Sequence, residues 1–231
     1  NPVLLMAGGF GKRLQPLTKE LPKPLLTVGD KPILETIVEQ LSAAGFSRFF
    51  MAIHYKADLL RAHFGDGSDW GITIRYLEEK EPLGTAGALS LLSSELIELP
   101  VLVMNGDLLT RLDFTQLLDY HESHDGVATI CVREHEFRIP FGVVQADGMR
   151  VEDITEKPVQ KLFINAGIYV LDPDIVKGRS GVYASDMPEL LREIIKTGEQ
   201  INMFPIHEYW LDIGQMEEYG QAQLDVTEFS S

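Results

Sequence analysis

The chain has 231 residues and a mass of 25.9 kDa, 45% hydrophobic and 24% charged, the composition of a globular protein with one sizeable core or a core with a lobe. Its 35 Asp and Glu against 20 Lys and Arg leave a formal charge of −15, which argues against a broad nucleic-acid face or a grip on anionic membranes. A lone Cys131 excludes an internal disulfide, no apolar run approaches the ~20 residues of a membrane helix, and the start does not read as a signal segment, so a cytoplasmic protein without nucleic-acid or membrane partners is expected.

The chain opens on Asn1-Pro2 rather than Met, and further N-terminal sequence or another domain is expected upstream. An apolar strand over residues 3–6 runs into Ala7-Gly8-Gly9-Phe10-Gly11-Lys12-Arg13, and Lys23 returns between Pro22 and Pro24. Gly8, Gly9 and Gly11 expose backbone N–H groups and tolerate positive φ, while Arg13 adds a forked cation and Lys12 or Lys23 a mobile one. That is the equipment of a polyphosphate cradle. A Walker A loop is excluded because Gly11-Lys12 is followed by Arg13 rather than Ser or Thr, and a dinucleotide fingerprint because Leu14 stands where its third glycine belongs.

Apolar positions at helical spacing predict a helix over 33–41, with Gly45 placed to cap it, then a strand over 49–53, a short helix over 58–64 and a strand over 72–77. A loop from Glu81 to Ala88, with Gly84, Thr85 and Gly87, leads into a helix predicted over 86–92. An apolar strand over 101–104 then delivers Asn105-Gly106-Asp107. Near-continuous apolar strands separated by helices imply a parallel sheet covered on both faces, with ligands at the strands' carboxyl ends, where Gly8 and Asp107 both fall.

Beyond residue 125 strands at 127–132, 142–145, 151–155 and 163–171 follow one another with few helices, so this half is expected to be mixed or antiparallel, before closing helices at 187–196 and 215–226. The fold class is α/β, a Rossmann-like three-layer α/β/α sandwich on a mostly parallel mixed sheet. A single domain is expected, with residues 1–125 and 126–231 as its two halves. Cys131 reads as strand interior. His121 and His124, three apart, read as the solvated face of a helix rather than as zinc ligands.

Asp107 at a strand's carboxyl edge can serve a hard cation such as magnesium, which takes one or two carboxylates plus substrate phosphates, and Asp212 in Tyr209-Trp210-Leu211-Asp212-Ile213-Gly214 is the best second acid. Each Asp alone could equally be a turn or cap residue.

The run Gly8-Gly9-Phe10-Gly11-Lys12-Arg13-Leu14-Gln15-Pro16-Leu17-Thr18 with Pro22-Lys23-Pro24 resembles the signature of the sugar-1-phosphate nucleotidylyltransferases. The resemblance implies the nucleotide-diphospho-sugar transferase fold, with residues 1–125 as the nucleotide-binding half and 126–231 as the sugar-phosphate-binding half, and an enzyme that joins a nucleoside triphosphate to a sugar 1-phosphate, releasing pyrophosphate. It also implies Mg2+ on Asp107 and Asp212, catalysis by Arg13, Lys23 and Asp107, and nucleotide contacts from Ala7, Gly8, Gly9, Gly11, Lys12, Arg13, Gly84 and Thr85. Thr155-Glu156-Lys157-Pro158 and Asn165-Ala166-Gly167-Ile168-Tyr169 resemble the family's sugar-phosphate segments, so Glu156, Lys157 and Asn165, with Gly142, are expected there; Phe141 stands where many relatives have Tyr.

The form Pro82-Leu83-Gly84-Thr85-Ala86-Gly87-Ala88-Leu89 is most similar to guanylyltransferases acting on mannose 1-phosphate and related sugars, with uridylyl, cytidylyl and thymidylyl branches as alternatives. Two rivals remain: a glycosyltransferase, which would ordinarily carry D-x-D where Asn105-Gly106-Asp107 stands, and a catalytically silent nucleotide-sugar-binding subunit. A homo-oligomer is possible.

Overall fold

The computed structural model describes residues 1–93, 97–179 and 184–226. In chain order the elements are β1 (Pro2–Met6), β2 (Thr27–Val28), β3 (Lys31–Pro32), α1 (Ile33–Ala43), β4 (Arg48–Ile53), α2 (Ala57–Phe64), β5 (Thr73–Glu78) and a single turn α3 (Gly84–Gly87). There follow β6 (Val101–Asn105), β7 (Leu108–Thr110), α4 (Phe114–Ser123), β8 (Ala128–Arg138), β9 (Val143–Asp147), β10 (Arg150–Thr155) and β11 (Val159–Leu171). The last are α5 (Pro173–Lys177), α6 (Met187–Lys196), β12 (Ile201–Pro205), β13 (Trp210–Asp212) and α7 (Met216–Asp225).

Seven strands form one sheet in the order β12-β8-β11-β6-β1-β4-β5. β1 pairs parallel with β4 and β6, and β4 with β5, whereas β11 runs antiparallel to both β6 and β8. The mixed half begins where the sequence rhythm changes. Successive residues of β1 serve opposite layers: Val3 and Leu5 join the core under α1 and α2, and Leu4 joins the core under α6. That two-sided burial is why the strand reads as an unbroken apolar run.

Helix α1 buries Ile33, Leu34, Ile37, Val38 and Leu41 on one stripe. It stops because Gly45 takes φ +94°, letting Gly45 N–H donate to the Ser42 carbonyl and Phe46 N–H to the Leu41 carbonyl, a Schellman closure.

Three expectations change in detail. The helix foreseen over 86–92 is the single turn α3 followed by a 3-10 turn over Ala88–Leu91, and the free N–H groups of Ala86 and Gly87 in its first turn donate to the Ser185 carbonyl. Strands β8 and β11 are much longer than foreseen and run beyond the sheet as an exposed ribbon. His121 is not a solvated side chain: it is 4% exposed, with Nδ1 2.9 Å from Thr129 Oγ1 and Nε2 3.1 Å from an Asp172 oxygen. It ties α4 to the sheet, whereas His124 is exposed and stacks on Tyr120. Cys131 lies buried in β8, where burial pushes its thiol pKa up.

Candidate active site

The carboxyl ends of β1 and β6 open into a cleft of about 230 Å³. One wall is the first loop, with Gly8, Gly9 and Phe10; the other carries Pro82, Gly84 and Thr85, and Asn105 and Asp107 line it from the end of β6.

The first loop leaves the sheet through a bond from Ala7 N–H to the Ala52 carbonyl. At Gly11, φ is +62° and a Cβ would fall 2.8 Å from Thr18 Cγ2, while Thr18 Oγ1 donates to the Gly11 carbonyl at 2.9 Å. A side chain there has neither room nor a comfortable backbone. Leu14, fully buried, anchors the following turn, so Lys12 and Arg13 are presented to solvent from a fixed base. Lys12 Nζ lies over the Phe10 ring, 5.4 Å from its centroid.

The loop then returns Lys23 to the cleft, 8% exposed and ion-paired to Asp107 Oδ2. The pairing of β13 with β7 sets Asp212 opposite Leu108, and Ile213 N–H donates to the Asp107 carbonyl at 3.1 Å. Asp107 and Asp212 are therefore neighbours across two short strands. Arg13 lies over the same spot, its guanidinium nitrogens 3.6 and 3.7 Å from where a Gly214 Cβ would stand. Helix α7 holds the arrangement from outside: Tyr219 Oη and Gln223 Nε2 both donate to the Thr27 carbonyl at 2.7 Å, just beyond the Lys23 turn.

The electrostatics of this corner are unbalanced. Asp107 Oδ1 is buried without a hydrogen-bond partner, although Oδ2 has Lys23. Partial burial and then the neighbouring Asp107 charge raise the pKa of Asp212, which stays accessible to solvent, and Lys23 and Arg13 oppose that rise. Among the described residues no group of three or more His, Cys, Asp or Glu forms a metal site of its own. Two adjacent carboxylates with an unspent oxygen fit a magnesium ion that draws its remaining ligands from phosphates and water.

The far wall contains a residue the sequence reading missed. Glu79, at the end of β5, is 7% exposed; one carboxylate oxygen accepts Leu83 N–H at 3.1 Å, and burial raises its pKa. Its only signal in the sequence is an acid at a strand's carboxyl end. Gly84 has φ +78°, with a Cβ blocked 2.7 Å from the Ser185 carbonyl and from Asp186 Oδ1. Asp186, also missed, accepts Thr85 N–H at 3.0 Å, and Met187 N–H donates to Thr85 Oγ1 at 2.8 Å. The Thr85 hydroxyl is thus engaged with the start of α6, and Thr85 lines the cleft from a fixed position.

The expected sugar-phosphate residues divide. Asn165 stands at a register shift in β11; its Nδ2 donates to Tyr169 Oη at 2.7 Å and its Oδ1 accepts Gly167 N–H at 2.9 Å. Gly167 abuts Asn105 so closely that a Cβ would lie 2.6 Å from Asn105 Nδ2, which brings this bulge to the cleft wall. Gly142, Glu156 and Lys157 gather on the exposed ribbon instead: a Gly142 Cβ would be 3.0 Å from Glu156 Oε2, and Lys157 N–H donates to the Phe141 carbonyl at 3.3 Å. None of these three lines the cleft.

A family model described as nucleotidyl transferase matches residues 2–228. The mannose-1-phosphate guanyltransferase of Emericella nidulans is 34% identical over 224 residues, and that of Aspergillus fumigatus 35% over 224, each match covering 94% of this chain and 61% of the relative. The chain spans about three fifths of the length of these curated relatives. Among solved structures, HddC from Yersinia pseudotuberculosis superposes with a TM-score of 0.72 at 27% identity, over 97% of this chain and 99% of that one. HddC complexed with GMP-PN gives 0.71, with the same identity and coverage.

Proposed function

The chain belongs to the nucleotidyl transferase family and has the nucleotide-diphospho-sugar transferase fold, and on that premise we propose that it transfers a nucleotidyl group from a nucleoside triphosphate to a sugar 1-phosphate. The observation that carries this reading is the convergence of Arg13, Lys23, Asp107 and Asp212 at the mouth of the glycine loop. A nucleotide-binding module would need the loop but not two acids beside two cations.

In the proposed reaction a phosphate oxygen of the sugar 1-phosphate forms a bond to the α-phosphorus while the bond to the β-phosphate oxygen breaks, and pyrophosphate leaves with that electron pair. The nucleophile is already anionic, so no side chain has to remove a proton. The chain's work is alignment and charge. Backbone N–H groups of the first loop bind the triphosphate, and Arg13 and Lys23 neutralise charge that grows on the transferring group. A preorganised contact of this kind is typically worth ~3–4 kcal/mol, roughly a hundredfold to a thousandfold in rate. Asp107 and Asp212 would hold Mg2+, which when bound supplies further charge neutralisation to the phosphates. Asn165 is assigned to the sugar phosphate, and Gly142, Glu156 and Lys157 would reach it from the ribbon.

The favoured nucleotide is GTP. Support comes from the two guanyltransferase relatives and from Glu79, because a carboxylate complements the adjacent N1–H and N2–H donors of guanine and no equivalent pair exists on uracil, thymine, cytosine or adenine. The favoured sugar is mannose 1-phosphate or a related hexose, heptose or hexosamine 1-phosphate.

The test is a matrix of GTP, ATP, CTP, UTP and dTTP against several sugar 1-phosphates with magnesium, following pyrophosphate. Release confined to GTP pairs supports the reading. Release only with another triphosphate overturns the base assignment, and nucleotide-sugar binding without any release would make the chain a silent subunit.

A further inference from the structure

Glu79 stands one residue past the last pair of the β4–β5 ladder, in which Ile53 lies opposite Glu78. Its N–H still donates to the Ile53 carbonyl at 2.9 Å, so its backbone follows the sheet. Continued by one step, the parallel pattern would give the Glu79 carbonyl the N–H of Tyr55. That donor is spent elsewhere, on the Gly8 carbonyl 3.5 Å away. The His54 ring takes its place, with Nδ1 2.8 Å from the Glu79 carbonyl oxygen. A carbonyl only accepts, so Nδ1 carries the proton.

The histidine is held from the first loop as well. The Phe10 ring meets it edge-on, with centroids 5.4 Å apart and planes at 87°. A Cβ on Gly8 would fall 3.4 Å from His54 Cβ and 3.6 Å from Glu79 Oε1, so the glycine packs on the ring's base and on the acid at once. Glu79 has its Oε2 on Leu83 N–H and turns Oε1 to the Gly8 side. Glu79, Gly8 and Phe10 line the cleft, whereas His54 stands behind them. The direction of the carboxylate thus depends on where its backbone is fixed, by Ile53 at the N–H and by His54 at the carbonyl.

We propose that His54 is a positioning residue for base recognition: its Nδ1–H fixes the Glu79 carbonyl, and through it the carboxylate that reads guanine, without touching the nucleotide. This role presupposes the guanylyl transfer proposed above. Without the ring, a carbonyl in a buried residue loses its donor and the turn into Leu83 is free to shift, and a carboxylate displaced by ~1 Å no longer meets two donors on one base edge.

Isothermal titration with GTP and with inorganic tripolyphosphate, each with magnesium, tests this. His54→Leu and His54→Phe remove the donor at two side-chain sizes. Each should weaken GTP roughly tenfold to a hundredfold, the range for one lost charge-assisted hydrogen bond, and leave tripolyphosphate within about twofold of wild type. His54→Asn puts Nδ2 where Nδ1 stood and should recover most of the GTP affinity. Because His54 acts through Glu79, adding His54→Leu to Glu79→Gln should cost no further affinity. Wild-type GTP affinity in both donor-less variants, an equal loss of tripolyphosphate, or full additivity in the double variant overturns the positioning role and leaves guanylyl transfer standing. A wild-type chain that binds another triphosphate in preference to GTP overturns both.

Discussion

Replacing Lys23 by Met removes the cation from the Asp107 pair while keeping an unbranched side chain in a nearly closed space. Breaking one side of a fully buried ion pair costs about 3–5 kcal/mol, because the remaining charge is stranded. Here the Lys23 side chain keeps 10% of its surface and Asp107 27%, so screening by solvent lowers the expected cost to about 1–3 kcal/mol. In a chain of this size that is a fall in melting temperature of roughly 2–12 °C. Turnover should drop about a hundredfold to a thousandfold if Lys23 meets the transferring group. The decisive assay is a cycle with Asp107→Asn: once the carboxylate is neutral, losing Lys23 strands nothing, and the double variant should be more stable than the summed single effects by more than about 0.5 kcal/mol. Additivity within that margin, or Lys23→Met turnover within tenfold of wild type, would refute the account of this corner.

Asp212→Asn should raise the melting temperature near neutral pH while abolishing pyrophosphate release. The folded-state pKa of Asp212 is raised, so its contribution to stability is intact below the ordinary carboxylate range and lost as pH climbs through the raised value; the variant's advantage should therefore vanish on acidification, and a gain that persists there would contradict the assignment. Gly84→Ala places a methyl 2.7 Å from the Ser185 carbonyl at φ +78°, which should cost about 1–3 kcal/mol and raise KM for the triphosphate more than for the sugar phosphate. Equal rises in both constants, read from initial rates, would detach Gly84 from the nucleotide.

The parallel half was legible because strands buried on both faces must be apolar throughout, as β1, β4 and β6 are. The first loop, with its glycines and cations at the end of β1, was legible because those residues are close in sequence. Elsewhere the determinants were long-range. His121 looked like surface because its partners Thr129 and Asp172 are supplied by β8 and by the residue that follows β11. Asp186 is tied to Thr85 across 101 positions, and no local pattern records that bond. Strand β12 has polar Asn202 buried and apolar Met203 exposed, which blurs its alternation. The ribbon's strands were found, but their length was not, because pairing rather than burial sustains them.

The order in which the corner is assembled matters for a chain emerging from a ribosome. The glycine loop and Lys23 are made first, but β13 and α7 come after every strand of the large sheet, so Asp107 and Lys23 are both made at least 105 residues ahead of Asp212. Only when Asp212 pairs beside Leu108 and Tyr219 clasps Thr27 do both acids face the loop. On the proposed function an unfinished copy lacks the second acid, and a stop codon placed before β13 should yield a protein that retains its sheet yet turns over nothing.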